Sequence, residues 1–385
     1  NNFKIATSSD FDEGSLIANH VTTSLIYIDR ANIDWDETYY WKVEFLDESE
    51  SKTSETETYS FTTSSKISNV DTQFYENESE YSEGLTIFGA FVDDMSVVFD
   101  KNGNEIWNAG DSKIIYYNTD YYGQLFGCHR LNSNEYANDM NSAEFNLNLE
   151  FIWKDPNTEY AHHDLLQLPN GNYLGIVESV KYEPIPYNVL SNSTKMTIES
   201  LGWTIGSTPF PWVGDKIVIW NSSGDIVWSW DCHDYLDKQD YDTIGGTWDT
   251  VLSLGLRYDW THLNAIAYDD SDINNPAIYA SIRHLSRIIK IDYNTKEVIE
   301  SIGIGMPSGD VSLGNDIGMS WQHGVFITDD GNLVILDNGN LSRNLRNTDY
   351  PETRALEVDF DSGEVLWEHA LDQEYYGPAS ANAQK

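Results

Sequence analysis

The chain has 385 residues, of which 22 are Lys or Arg and 63 are Asp or Glu, giving a formal net charge of −41. A surface this acidic repels phosphate backbones instead of releasing their counterions, which excludes nucleic-acid binding through a basic face. With 40% hydrophobic residues, including 13 Trp, 24 Tyr and 14 Phe, there is ample material for a packed core, so the acidity points to a heavily hydrated surface, as in high-salt or extracellular settings.

No apolar run approaches the length of a membrane span, so a soluble chain is expected. The start, Asn1-Asn2-Phe3-Lys4, has neither a charged n-region nor an apolar h-region and reads as a mature end or a fragment. Glycosylation sequons at Asn77, Asn192, Asn221 and Asn340 fit an exported glycoprotein at the cell surface or beyond. Two cysteines, Cys128 and Cys232, exclude a disulfide framework and leave two readings open, one bridge or two buried thiols.

Residues 1–65 form a first module. Tyr39, Trp41, Val43 and Phe45 alternate with Tyr40, Lys42, Glu44 and Leu46, and Tyr59-Ser60-Phe61-Thr62 makes a second alternating run after the polar stretch 47–58. This predicts a hairpin of an all-β module, and it resembles the closing strands of a fibronectin type III sandwich. Such sandwiches run to roughly 100 residues, so a partial β-sandwich is expected here. Residues 66–84 read as a linker and first strand, with the Ser/Lys/Asn-rich Ser64–Asn69 at its start.

From residue 85 to 385 one pattern recurs. A glycine turn leads into a β-branched strand ending in an aromatic or apolar residue: Asn102-Gly103 before Ile106-Trp107, Ser223-Gly224 before Val227-Trp228, Ser362-Gly363 before Leu366-Trp367. Asn294-Thr295-Lys296 keeps the shape without glycine. A second hairpin type, at Asn170-Gly171 and Asp330-Gly331, supplies the φ > 0 conformations of tight turns. No helical period is sustained between residues 85 and 370. Two hairpins per unit, repeated, are the signature of β-propeller blades, and about five units can be counted, with outer strands ending near Trp107, Trp153, Trp230, Ile302 and Trp367. A six-bladed ring would need more chain than this, or a strand supplied from elsewhere, so the expected propeller is incomplete.

The functional signal lies in the histidines, of which there are only nine. His162-His163-Asp164-Leu165, Thr261-His262-Leu263-Asn264 and Trp321-Gln322-His323 each precede an apolar strand, which would aim imidazoles at the channel mouth from successive blades. Ser281-Ile282-Arg283-His284 adds a cation suited to bidentate anion binding.

These segments, together with Leu336-Asp337-Asn338-Gly339 and Ser342-Arg343, closely resemble the arylsulfotransferase (ASST-type) family in order and spacing over about 85–385. The resemblance implies a six-bladed propeller enzyme, working outside the cytoplasm, that moves a sulfuryl group from an aryl sulfate to a phenol without a nucleotide donor, metal or other cofactor. It implies that His323 is the transiently sulfated nucleophile. His262, Asn264 and Arg283 would be ligands of the sulfate oxygens, and His163, in preference to His162, the remaining catalytic histidine, with His162 lining the substrate site. Two departures stand out. The chain stops near Tyr375-Tyr376-Gly377-Pro378, where the family continues, and Ile302–Gly309 replaces a more aromatic turn.

Asp270, Asp272 and Asn274 space oxygens like half a calcium loop, but no closing Glu follows, and a solvated acidic turn explains them. His233-Asp234 beside Cys232 is open to a metal pair or a surface turn. The alternative to an enzyme is an extracellular structural or adhesive protein with a vestigial site. Open sheet edges in both modules would then favour homo-oligomers or filaments built by strand addition.

Overall fold

A computed structural model describes the whole chain except residues 30–31, 68–83, 92–93, 121, 131–140, 157–160, 310–316 and 385. Most of the expected linker at 66–84, and the sequon at Asn77, therefore lie outside the described residues. Two compact units divide the chain, Asn1–Lys113 and Ile114–Lys385.

In the first unit, β1 (Asn2–Ala6), β2 (Leu16–Val21), β3 (Thr38–Leu46), β4 (Lys52–Glu55) and β5 (Tyr59–Thr62) form one antiparallel sheet in the order β2-β1-β3-β4, with β5 also paired to β3. The alternation along β3 buries Tyr39 and Val43, and Tyr39 packs with Ile5 and Ala18. Trp41 stacks on its cross-strand partner Tyr59 at 4.8 Å. A second, three-stranded meander follows: β6 (Leu85–Ala90), β7 (Met95–Asp100) and β8 (Glu105–Asn108), turning at Gly103 with φ 77°.

The second unit repeats one motif four times. The first sheet holds β9 (Ile114–Thr119), β10 (Leu125–His129), β11 (Asn141–Phe145) and β12 (Phe151–Lys154). The second holds β13 (Ala161–Gln167), β14 (Tyr173–Pro184), β15 (Pro209–Trp220) and β16 (Ile226–Asp231), with the short β17 (Tyr258–Asp259) parallel to β15. The third holds β18 (Leu263–Asp269), β19 (Ala277–Ile282), β20 (Arg287–Asp292) and β21 (Val298–Gly303). The fourth holds β22 (His323–Ile327), β23 (Leu333–Asp337), β24 (Arg354–Asp359) and β25 (Glu364–Ala370). Each is an antiparallel meander whose strands pair in chain order, which is the blade of a β-propeller. The first strand of each blade is innermost: β13 lies against β9 and β18, and β18 against β22. The hairpins expected between residues 85 and 370 fall between the strands they join, and the fold class is the expected all-β propeller; in the first module the stretch 47–58, expected as a turn between β3 and β5, instead holds β4, which also pairs with β3. The described residues do not show the ring closed.

One expectation needs correction. The hairpin β14–β15 carries a nine-residue helix, α1 (Asn192–Ser200), where no helical period was read. Ser191 caps it by accepting from the Thr194 amide, and only Thr194 and Ile198 are buried. A single apolar contact point gives no stripe for a periodicity argument to find.

Buried carboxylates stitch the inner strands together. Asp164 of β13 accepts from Asn118 Nδ2 of β9 at 2.6 Å and from the Ile266 amide of β18 at 3.0 Å. Asp215 of β15 accepts from the Thr261 hydroxyl at 2.5 Å and the Leu263 amide at 2.6 Å. Burial pushes the Asp164 carboxyl up to about 7 against these donors.

Candidate active site

The same local device opens all four inner strands. Pairing slips by two residues between His162 and Leu165 and by one between Leu263 and Ala265 and between His323 and Val325, and β9 bulges opposite Phe126 and Gly127. Such bulges re-aim side chains at a strand end. Non-glycine residues beside them take left-handed backbone, with φ of 62° at His163, 48° at His262 and 51° at Trp321.

The re-aimed side chains converge. His162 Nδ1 lies 2.7 Å from His163 Nδ1, and the His163 ring packs edge-on to His262 at 5.1 Å. His262 in turn meets His284 at 4.7 Å. Arg283 Nη1 donates to His284 Nε2 at 2.8 Å, and the guanidinium sits 4.5 Å from the centre of the Trp321 ring. His323 interacts electrostatically with Arg283, His262 and His163. His323, His262, Arg283 and His163, read separately from the sequence, thus form one cluster.

Asp259 organises it. Its carboxylate meets His262 Nδ1 at 2.6 Å, and its main-chain carbonyl accepts from His284 Nδ1 at 2.7 Å. Burial opposes ionisation of Asp259, but His262, His284 and Arg283 outweigh it and hold the carboxyl well below the usual range. His284 therefore has its proton on Nδ1 and offers Nε2 to Arg283. Burial holds His284 down at about 4 and His323 at about 3, so both are neutral at physiological pH. His163 is likewise pushed well below the ordinary histidine value by burial and by the neighbouring His162, His262, His323 and Arg283. Burial lowers Arg283 only to about 10, which leaves it charged.

The remaining two sequence-derived residues stand behind this front. His162 is buried at 1% exposure, with Nε2 3.2 Å from Asp215, and reaches the cluster through His163. Asn264 is also buried and donates from Nδ2 to the Gln322 carbonyl at 2.8 Å, tying β18 to β22. Gln322 returns the tie by donating to the Arg287 carbonyl at 2.9 Å and to Ser281 Oγ at 3.1 Å.

Residues 377–380 cross the cluster. The Pro378 carbonyl accepts from Arg283 Nη2 at 3.2 Å, and the Ser380 amide donates to His323 Nε2 at 3.3 Å. Asn338, following β23, accepts from His323 Nδ1 at 2.7 Å. Sequence reading gave Asp259, His284, Asn338 and Tyr117 no role. Tyr117 occupies the β9 bulge, and burial pushes its phenol well up.

Residues 208–384 match the family model described as Arylsulfotransferase (ASST). The match takes in His262, Arg283 and His323 and leaves out His162 and His163. Among curated proteins none matches this chain. Among solved structures, the Dos1 propeller is similar over 76% of this chain and 57% of its own, at 11% identity and a TM-score of 0.30. Hydrazine synthase from Kuenenia stuttgartiensis is similar over 69% of this chain and 66% of its own, at 11% identity and a TM-score of 0.36. Apo AztD from Citrobacter koseri is similar over 96% and 95%, at 8% identity and a TM-score of 0.30. The chain thus spans less than two thirds of the first two, and similarities at these scores carry no functional argument.

Other sequence signals resolve simply. Cys128 and Cys232 are two separate buried thiols. Asp272, in an exposed turn, accepts from the Asn274 amide and Asn275 Nδ2. Asp234 pairs with Lys181, while Asp231, Cys232 and His233 are close enough to share an ion. Asp259, His262 and His284 are equally close. No helix among the described residues is long and apolar enough to cross a membrane.

Proposed function

We propose that the cluster transfers a sulfuryl group from an aryl sulfate to a phenolic acceptor through a sulfated His323. The observation that carries this reading is the convergence of His323, His262 and His163, from the starts of successive inner strands, with the charged Arg283 of the turn after β19, onto one site in a strongly acidic chain. The family match over residues 208–384 supports the chemistry at the level of sulfotransfer.

In the first step His323 Nε2, a neutral imidazole nitrogen at working pH, attacks sulfur. The Nε2–S bond forms as the S–O(aryl) bond breaks. Arg283 faces the sulfate oxygens, where charge concentrates in the transition state, and its cost of burial is already met in the folded protein. His262 is the proton carrier best placed by its surroundings, because the Asp259 carboxylate lies 2.6 Å from its Nδ1 and orients the ring. It returns a proton to the departing aryl oxide, whose ordinary pKa near 10 makes it a workable leaving group. In the second step an incoming phenol gives its proton to a neutral histidine, His163 or His262, and its oxygen displaces the imidazole from sulfur. Asp215 and His162 stand behind His163 as a supporting pair. Asn264 contributes by holding the main chain of Gln322, next to His323, in place. No step calls for a metal.

Residues 1–65 are read as a fibronectin type III-like module, and the net charge of −41 and the sequons favour an extracellular or cell-surface setting. The direct test is turnover of p-nitrophenyl sulfate with a phenol acceptor. The expected result is transfer by the natural chain and none by His323→Asn, with the same circular dichroism and unfolding profile. Transfer that persists in the variant would move the nucleophile elsewhere.

A further inference from the structure

We infer that Asn338 is a positioning residue that sets the tautomer of His323, holding the proton on Nδ1 and leaving the lone pair on Nε2. The geometry offers two independent signs. Asn338 is fully buried, and its Oδ1 lies 2.7 Å from His323 Nδ1. Its amide has one workable orientation, because Nδ2 donates to the Gly377 carbonyl at 2.7 Å and the Ser380 carbonyl at 3.1 Å, groups that can only accept. Flipping the amide would set an oxygen against two carbonyls and a nitrogen against the ring. Oδ1 therefore accepts and His323 Nδ1 must donate. On the other side of the ring the Ser380 amide, which can only donate, points at Nε2. Both partners select the same tautomer.

The surrounding chain holds Asn338 in this pose. Gly339 has φ 68°, and a Cβ there would fall 1.8 Å from the Glu352 carbonyl oxygen, so only glycine lets the strand end turn this tightly. The Gly377 amide donates to Thr353 Oγ1 at 3.0 Å, and the Thr353 hydroxyl donates to the Asn338 carbonyl at 3.1 Å, which closes a loop of bonds around the amide.

The consequence rests on the transferase reading. When Nε2 bonds to sulfur, the retained Nδ1–H makes the sulfated ring a cation. As the acceptor oxygen forms its bond to sulfur, the N–S electron pair returns to Nε2 and the ring leaves as neutral imidazole. A neutral amide at position 338 supports this better than a carboxylate, which would draw the Nδ1 proton away and worsen the leaving group.

The experiment separates the inference from the reaction. The full chain is labelled with 15N-histidine, and long-range proton–nitrogen correlations are recorded from pH 6 to 8, the His323 signals being those lost in His323→Asn. The expected result is a protonated Nδ1 and a bare Nε2 in the natural chain. In Asn338→Ala both nitrogens should move toward an averaged position, and any sulfuryl transfer should slow by about tenfold or more. A natural chain with the proton on Nε2 overturns the inference, and so does an unchanged tautomer in the variant. If Asn338→Ala does not fold, the spectrum of the natural chain decides alone. The expected tautomer in a chain that does not turn over p-nitrophenyl sulfate supports the inference while the transferase reading fails.

Discussion

Replacing Asp337 with Asn tests whether the last inner blade is held by a buried ion pair directly beside the site. Asp337 is fully buried, and one carboxylate oxygen accepts from the Ser320 and Gly339 amides at 2.8 and 2.9 Å. The other accepts from Arg354 Nε at 2.8 Å, with Arg346 at 3.7 Å. Asn is nearly isosteric, so no cavity opens, but its NH2 must face either two amide donors or a guanidinium, and the counter-charge is lost. Removing one partner of a buried pair costs about 3–5 kcal/mol. Arg354 keeps a second carboxylate, the partly exposed Glu368 at 2.7 Å, which places the cost near the lower end, about 3 kcal/mol. That is a large share of the roughly 5–15 kcal/mol that holds a domain together. Urea unfolding followed by tryptophan fluorescence should show a lower midpoint with an unchanged slope. Replacing Asp337 and Arg354 together with apolar residues should recover part of the loss. A loss below about 1 kcal/mol for the single substitution would refute the pair as a determinant of stability.

Protonation supplies two predictions of opposite sign. His323, held near 3 and below its ordinary value, leaves the folded chain binding fewer protons than the unfolded one, so its contribution is complete above about pH 6.5 and is lost as pH falls toward 3. The stability difference between the natural chain and His323→Asn should therefore shift against the natural chain between pH 7 and 5; a flat difference would contradict the assigned burial. Asp164, raised to about 7, contributes fully below about pH 4 and loses that contribution as pH rises through 7, so the natural chain's advantage over Asp164→Asn should shrink over that range. Gly127→Ala places a Cβ 2.1 Å from the Ile115 carbonyl oxygen, a main-chain atom with little room to move. Differential scanning calorimetry should show a loss of about 1–3 kcal/mol, and an unchanged transition would mean that β9 can shift at no cost.

The propeller was legible because its turns are local. Gly103, Gly171, Gly224, Gly331 and Gly363 each take positive φ in the hairpin read around them, and Lys296 does the same without a glycine's freedom. The first unit was less legible: the hairpin of β3 and β5 shows in alternation, whereas β1 and β2 have too little of it to be read, and β1 pairs with β3 across about forty residues. In the site, the histidines and Arg283 stood out because imidazoles and cations are scarce. Their partners did not. Asp259 is one of 63 acidic residues with nothing local to single it out. The Asn338 contact to His323 spans 15 positions and depends on carbonyls from residues 377 and 380, so only the folded chain brings it together. The bulges that open the inner strands were equally hidden, since one or two extra residues leave no mark on an apolar pattern this short.

The central claim is that His323 Nε2 accepts the sulfuryl group. Incubation with p-nitrophenyl sulfate without acceptor, rapid quenching at alkaline pH and mass spectrometry of the digest test it most directly. The account predicts an added SO3 on the peptide containing His323, located on that ring by fragmentation, absent from His323→Asn and lost when a phenol is added. An SO3 group on another residue, or turnover with no trapped intermediate under any quench, would contradict it.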